Sequence, residues 1–344
     1  GSSEIDCGFV GIMPQARDEA HATSGPCKIT VACATWYLVN ICFNIATKDF
    51  LLECPFVWTV TVMQLGTMFA CTSVLWKLGL LANPLKGMDV TALRAMLPAA
   101  CCYAAASGFT SLATMCCSIS FMQVIKATEP IYVVLWNMFL SGTVPAPSIL
   151  LTLLPILVGS MLAAFGEIEF SKLGAVAAVI CTITYAGRNV LSKTLMKTML
   201  PQNINALLAL LAMIILLPVA AIVEGPALAE IVQKRQVVDP VTLGRMLLRC
   251  AASCVCFFGT ETFLFLVLSM MDVVSHTIAN TGKRVTSIVG CAFYYSTPFS
   301  VLSLVGSSIT VFFSCAYSVL RAQASVKPLS RVSSLTPVTP LLRA

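Results

Sequence analysis

Stretches of about twenty mostly apolar residues recur along nearly the whole chain, and each can cross the hydrocarbon core of a bilayer as a helix. Ten can be marked, at roughly 29–47, 55–76, 95–116, 119–141, 147–166, 173–194, 204–224, 247–270, 272–294 and 298–320. A segment in hydrocarbon must satisfy its backbone N–H and C=O groups internally, which these lengths allow only as helices. A membrane barrel would show segments of about ten residues with alternating polarity instead. Composition agrees: 58% of residues are hydrophobic and 10% charged, against roughly 25% charged in soluble domains. An all-α membrane protein of ten transmembrane helices is expected. The net charge of +6 comes with no basic run interleaved with aromatics, so nucleic acid is not an expected partner.

The connections divide the chain. Pro55, Pro147 and Pro298 stand at the starts of their helices, where a missing N–H is harmless. The third–fourth and eighth–ninth connections are nearly absent, which predicts tight hairpins or broken helices. Residues 225–246 read as the longest internal loop. Residues 1–27 are polar and mixed in charge, and resemble neither a secretory signal nor an acid-poor transit peptide. The tail over 322–344, rich in Ser, Pro and Thr, reads as disordered. Lys and Arg outside the span interiors favour the side of both termini (Lys28, Lys77, Arg94 and Lys193 among them) over the side of Lys48, Lys172, Arg245 and Arg249. Both termini are therefore expected in the cytosol. The halves also echo one another: the fourth span reaches Lys126 and the ninth reaches Lys283, each after a very short turn. A repeat of five spans inverts across the membrane. Two inverted five-helix repeats, over 28–166 and 167–321, are the expected plan, with a site between them at the midplane.

Four basic residues lie inside these segments: Lys126, Arg188, Lys283 and Arg284. Each is costly at bilayer depth and marks a functional site by default. Lys283 and Arg284 are consecutive and point about 100° apart on a helix, with Asn280 one turn and His276 two turns earlier. A compact ammonium and a planar guanidinium fork together suit a phosphate dianion. The bland reading of each cation is a side chain snorkelling to the interface, and for Lys126 a local pair with Glu129. Pro130 breaks the helix just beyond. Glu261 is a buried acid that either neutralises a site cation or carries a coupled proton. The pattern points to transport of an anionic small molecule.

Other chemistries lack their residues. The sixteen cysteines lie mostly in apolar segments and read as small packing residues. No zinc-ligand spacing is present, and His21 and His276 are far apart. No metal or cofactor is expected. No nucleophile–base pair or Gly-rich phosphate loop appears, so the chain is not expected to be an enzyme.

Four stretches carry a resemblance: Trp36 to Lys48, Phe121-Met-Gln-Val-Ile-Lys-Ala-Thr-Glu-Pro130, Arg188-Asn-Val-Leu-Ser-Lys193 and His276-Thr-Ile-Ala-Asn-Thr-Gly-Lys-Arg284. On these the chain resembles the plastid phosphate translocators of the drug/metabolite transporter superfamily, over about 30–320. The Lys-Arg ending is the most specific of them. The resemblance implies ten helices in two inverted halves, exchange of inorganic phosphate for phosphorylated carbon compounds, and a plastid or plastid-derived envelope. It implies phosphate binding by Lys126, Lys283 and Arg284, substrate contact at Thr110, and a further arginine at Arg188. Two positions depart from the family: Ser107 stands where the family has histidine, and Thr260 where it has tyrosine. Two large contact groups have shrunk, which leaves a C3, C5 or C6 compound open. A nucleotide-sugar antiporter of the secretory pathway shares the scaffold, but the Lys283–Arg284 pair argues against it. An anion channel using the cations as a filter ring is the other alternative.

Overall fold

The computed structural model describes residues 26–84, 90–142, 147–166, 171–195, 199–233, 240–271, 273–296 and 300–326. Most of the polar N-terminal segment, the tail beyond 326 and Pro298 lie outside the described residues. Among those residues the chain is helical with no strand. The helices are α1 (Pro26–Glu53), α2 (Val57–Lys77), α3 (Val90–Cys116), α4 (Ile119–Lys126), α5 (Glu129–Ser141), α6 (Pro147–Leu151), α7 (Leu153–Phe165), α8 (Lys172–Leu195), α9 (Pro201–Val223), α10 (Gly225–Gln233), α11 (Pro240–Met270), α12 (Val273–Tyr295) and α13 (Val301–Val326).

Seven of them, α1, α2, α3, α8, α9, α11 and α13, are long and apolar enough to cross a membrane. The other three expected spans fall on α12 and on two broken pairs. α12 has the length, at 23 residues, but carries His276, Lys283 and Arg284. The expected fourth span falls on α4 plus α5 and the expected fifth on α6 plus α7, each divided just before a proline. Pro130 offers no N–H to the Lys126 carbonyl, and Pro155 offers none to Leu151. The expected loop over 225–246 is corrected: α10 occupies 225–233 and α11 begins at Pro240. Glu224 sets that corner. Its buried carboxylate accepts from the Trp58 and Thr59 amides at 2.8 and 2.7 Å, capping the start of α2 from the end of α9. An acid is favoured at that positive helix end.

The apolar side chains face two ways. Leu65, Met68, Met96, Tyr103, Leu207 and Leu208 form a buried core where α2, α3 and α9 meet. Ile119, Met122 and Ala177 join α4 to α8 in a second core. Outside, Phe139, Phe165 and Phe293 are each more than 80% exposed, as a hydrocarbon-facing surface requires. The most extensive packing pairs are α3 with α8, α1 with α11, α7 with α13 and α2 with α9.

The α7–α13 crossing depends on small residues. A Cβ on Gly306 would sit 2.6 Å from the Gly159 carbonyl, and one on Gly159 2.8 Å from the Thr310 amide. Backbone cannot move aside as a flexible side chain can, and such close crossings are what small residues permit. Gly306→Ala is expected to cost about 1–3 kcal/mol by overpacking. A lowered melting temperature in detergent checks this, and an unchanged one refutes it.

Candidate functional site

The site is built where helices break. Ser118 caps α4, its hydroxyl accepting from the Phe121 amide at 3.1 Å, so the chain turns back within two residues of α3. α4 then lasts only to Lys126, the last residue before the break, and α5 restarts at Glu129. The break puts an ammonium and a carboxylate at one level in the interior. α12 brings Lys283 and Arg284 opposite, packing directly on α4.

These groups line a central cavity of about 130 Å³, together with Tyr103, Ser107, Thr110, Tyr185, Thr260 and Glu261. A second cavity of about 270 Å³ shares Glu129, Tyr185, Glu261, Lys283 and Arg284 with the first, and adds Arg188, His276 and Asn280. Every candidate residue from the sequence therefore borders one of two adjoining spaces.

The cations differ in how they are held. Arg284 donates to Glu129 Oε2 at 2.7 Å, and Asn189 donates to the other carboxylate oxygen at 2.8 Å. Glu129 thus ties α5 to α8 and α12, in place of the local pair with Lys126. Arg188 does not snorkel. It is buried, with Glu261 Oε2 3.8 Å away, and Asn205 bonds to both. Its guanidinium also lies over the Tyr103 and Tyr185 rings, at 4.1 and 5.1 Å. Among the described residues neither Lys126 nor Lys283 makes an ion pair. The Lys283 ammonium sits over the Trp36 ring at 4.7 Å, and Trp36 stacks on His276. Trp36 is held in turn by its indole N–H, which donates to the Thr260 carbonyl at 3.0 Å.

Several polar groups at these spaces have no hydrogen-bond partner among the described residues: Tyr103 Oη, Thr260 Oγ1, His276 Nε2 and Arg284 Nη1. Buried polar groups are normally satisfied, so each such orphan needs a reason. Thr110 is different, its hydroxyl donating to the Ala106 carbonyl at 2.7 Å within its own helix. Two ammoniums without an ion pair among the described residues and a half-used guanidinium around one cavity give it the charge to complement a multiply charged anion.

Sequence reasoning missed a fifth interior cation. Lys48 was expected outside its span. α1 instead continues to Glu53, and Lys48 is buried with its ammonium on the Cys117 carbonyl at 3.0 Å and over the Tyr295 ring at 5.2 Å. Next to it, Asp49 accepts from Tyr295 and Tyr294 at 2.7 and 2.9 Å, and Arg249 pairs with Asp49 and Glu53. Lys48, Asp49 and Arg249 tie the last turns of α1 to α11 and to the end of α12. The partners Cys117, Tyr295 and Arg249 are far from Lys48 and Asp49 in sequence, so no local spacing points to them. Asn205 and Tyr103 were also missed, being ordinary polar residues in apolar helices.

The model of the Triose-phosphate Transporter family matches residues 27–318. Among curated proteins, the chain is 29% identical over 310 residues to phosphoenolpyruvate/phosphate translocator 3, chloroplastic, of Oryza sativa subsp. japonica, covering 87% of this chain and 78% of that one. It is 27% identical over 293 residues to glucose-6-phosphate/phosphate translocator 1, chloroplastic, of Arabidopsis thaliana, covering 85% and 74%. With the triose phosphate/phosphate translocator, chloroplastic, of Pisum sativum it shares 27% over 295 residues, covering 84% and 71%. A family match that takes in every helix bordering the two cavities makes this chain a member of the triose-phosphate transporter family.

Proposed function

We propose that the protein is an antiporter that exchanges inorganic phosphate for phosphorylated compounds of three, five or six carbons across a plastid or plastid-derived envelope. Lys126, Lys283 and Arg284 hold the phosphate, Thr110, Ser107 and Thr260 contact the remainder, and Arg188, Glu129, Glu261, His276 and Asn280 shape the chamber. The observation that carries this reading is the pair of ammoniums, Lys126 and Lys283, facing one cavity without acid partners among the described residues. The names of the relatives support the substrate class. The chain is read as ten crossings with both termini in the cytosol, in two inverted repeats over 28–166 and 167–321. The packing supports the repeat, because exchanging the halves maps the α1–α11 contact onto α8–α3 and leaves α2–α9 and α7–α13 in place.

Exchange follows from electrostatics. A closed, empty chamber with uncompensated cations in low dielectric is costly. Bound phosphate removes most of that cost, so the loaded carrier reorients far faster than the empty one. Liposomes loaded with labelled phosphate should release it at least ~10-fold faster with phosphate or a sugar phosphate outside than without. Equal release in both conditions sinks the antiport reading and favours a channel.

A further inference from the structure

The two cavities contain four cations, Lys126, Arg188, Lys283 and Arg284, and two acids, Glu129 and Glu261. The formal excess is two positive charges. A phosphate monoester is close to a dianion at neutral pH, so a phosphate on a neutral carbon skeleton cancels that excess. A phosphorylated carboxylate brings a third negative charge, for which the chamber has no free partner. Arg284 and Glu129 are paired at 2.7 Å. The remaining guanidinium, Arg188, faces Glu261, and Asn205 bonds to both.

The geometry points to Glu261 as a specificity residue that makes this carrier select phosphate esters of neutral, hydroxylated skeletons over phosphorylated carboxylates. This rests on the exchange reading above and narrows it. A ligand carboxylate reaching past the ammoniums towards Arg188 meets the Glu261 carboxylate, which lines both cavities. It would have to displace Glu261 from Arg188 and leave a second anion beside it. A ligand hydroxyl finds the opposite. Glu261 accepts hydrogen bonds, and the Tyr103 and Thr260 hydroxyls lining the same cavity have no partner of their own among the described residues. Both can donate or accept. Sites that hydrogen-bond a hydroxyl reject analogues lacking it, because their own groups are left unpaired. The relatives do not decide this point, since their names include phosphoenolpyruvate, triose-phosphate and glucose-6-phosphate translocators.

The test uses a matched pair, glycerol 3-phosphate and 3-phosphoglycerate, which differ at one end by a hydroxymethyl against a carboxylate. Full-length protein is reconstituted in liposomes loaded with labelled phosphate, and each compound is offered outside at pH 8. Wild type should exchange glycerol 3-phosphate at least ~10-fold more efficiently than 3-phosphoglycerate. Glu261→Gln keeps an amide oxygen for Asn205 and Arg188 but removes the charge, and should narrow that ratio at least fivefold. A wild-type preference for 3-phosphoglycerate overturns the inference without any variant, so a poorly folded Glu261→Gln does not protect it. An unchanged ratio in folded Glu261→Gln overturns it as well. Phosphate-for-phosphate exchange by wild type separates the two readings: if present with no selectivity, only the specificity inference fails, and if absent, the exchange reading fails first.

Discussion

Lys283→Ala should abolish the proposed phosphate exchange while leaving the protein as stable as wild type or more so. Removing one partner of a desolvated charge pair costs about 2–5 kcal/mol of binding, which is on the order of 30-fold to 3000-fold. Lys126→Ala should lose exchange to a similar degree, because both ammoniums face the same cavity. The stability half of the result separates a binding role from a structural one. Neither lysine is ion-paired among the described residues, so neither alanine leaves an acid orphaned. Lys283→Ala gives up the contact with the Trp36 ring, a modest loss of about 1–2 kcal/mol, and is relieved of a charge held in low dielectric. Exchange in liposomes and melting in detergent check the two halves. Exchange at a near wild-type rate in Lys283→Ala removes it from the site. Lost exchange together with a collapsed melting temperature makes it structural instead.

The parts of this site legible in the sequence were those whose physics is local. Lys126, Lys283 and Arg284 stand out because a cation in an apolar run is costly wherever the run goes. Pro130 announces the break after Lys126, since no tertiary contact can supply its missing N–H. The partners of the charges were not legible. Glu129 is three residues from Lys126, the spacing of a helical neighbour, yet the helix breaks between them and Arg284 from α12 takes the carboxylate. Glu261 offered two roles, and its neighbours Arg188 and Asn205 come from α8 and α9. Lys48 was misplaced for a simpler reason. Its span seemed to end where polar residues begin, but Asp49 and Glu53 are themselves paired with groups on α11 and α12, so the helix runs on. α10 was hidden the same way, because Glu230 and its polar neighbours outweighed the apolar Ala227, Leu228, Ile231 and Val232 in a short segment.

Arg188 provides the second large effect, and here the expected loss is of folding. Both side chains of the Arg188–Glu261 pair are about 90% buried. Taking away one member of such a pair leaves a charge without compensation and costs about 3–5 kcal/mol. Arg188→Met should therefore lower the melting temperature sharply, leaving Glu261 with only Asn205 and a long Tyr185 contact at 3.5 Å. Adding Glu261→Gln removes the stranded charge and keeps an oxygen for the Asn205 amide. The double variant should recover most of the loss, with a coupling of about 1–3 kcal/mol between residues in one network. Denaturation of all four members of the cycle in detergent measures it. If Arg188 served chiefly to hold substrate, Arg188→Met would melt near wild type without ligand, and Glu261→Gln would restore nothing. A double variant no more stable than Arg188→Met would mean the two charges are not coupled. Glu261 would then lack the anchoring that sets it against a ligand carboxylate, and the selectivity inferred for this chamber would need another source.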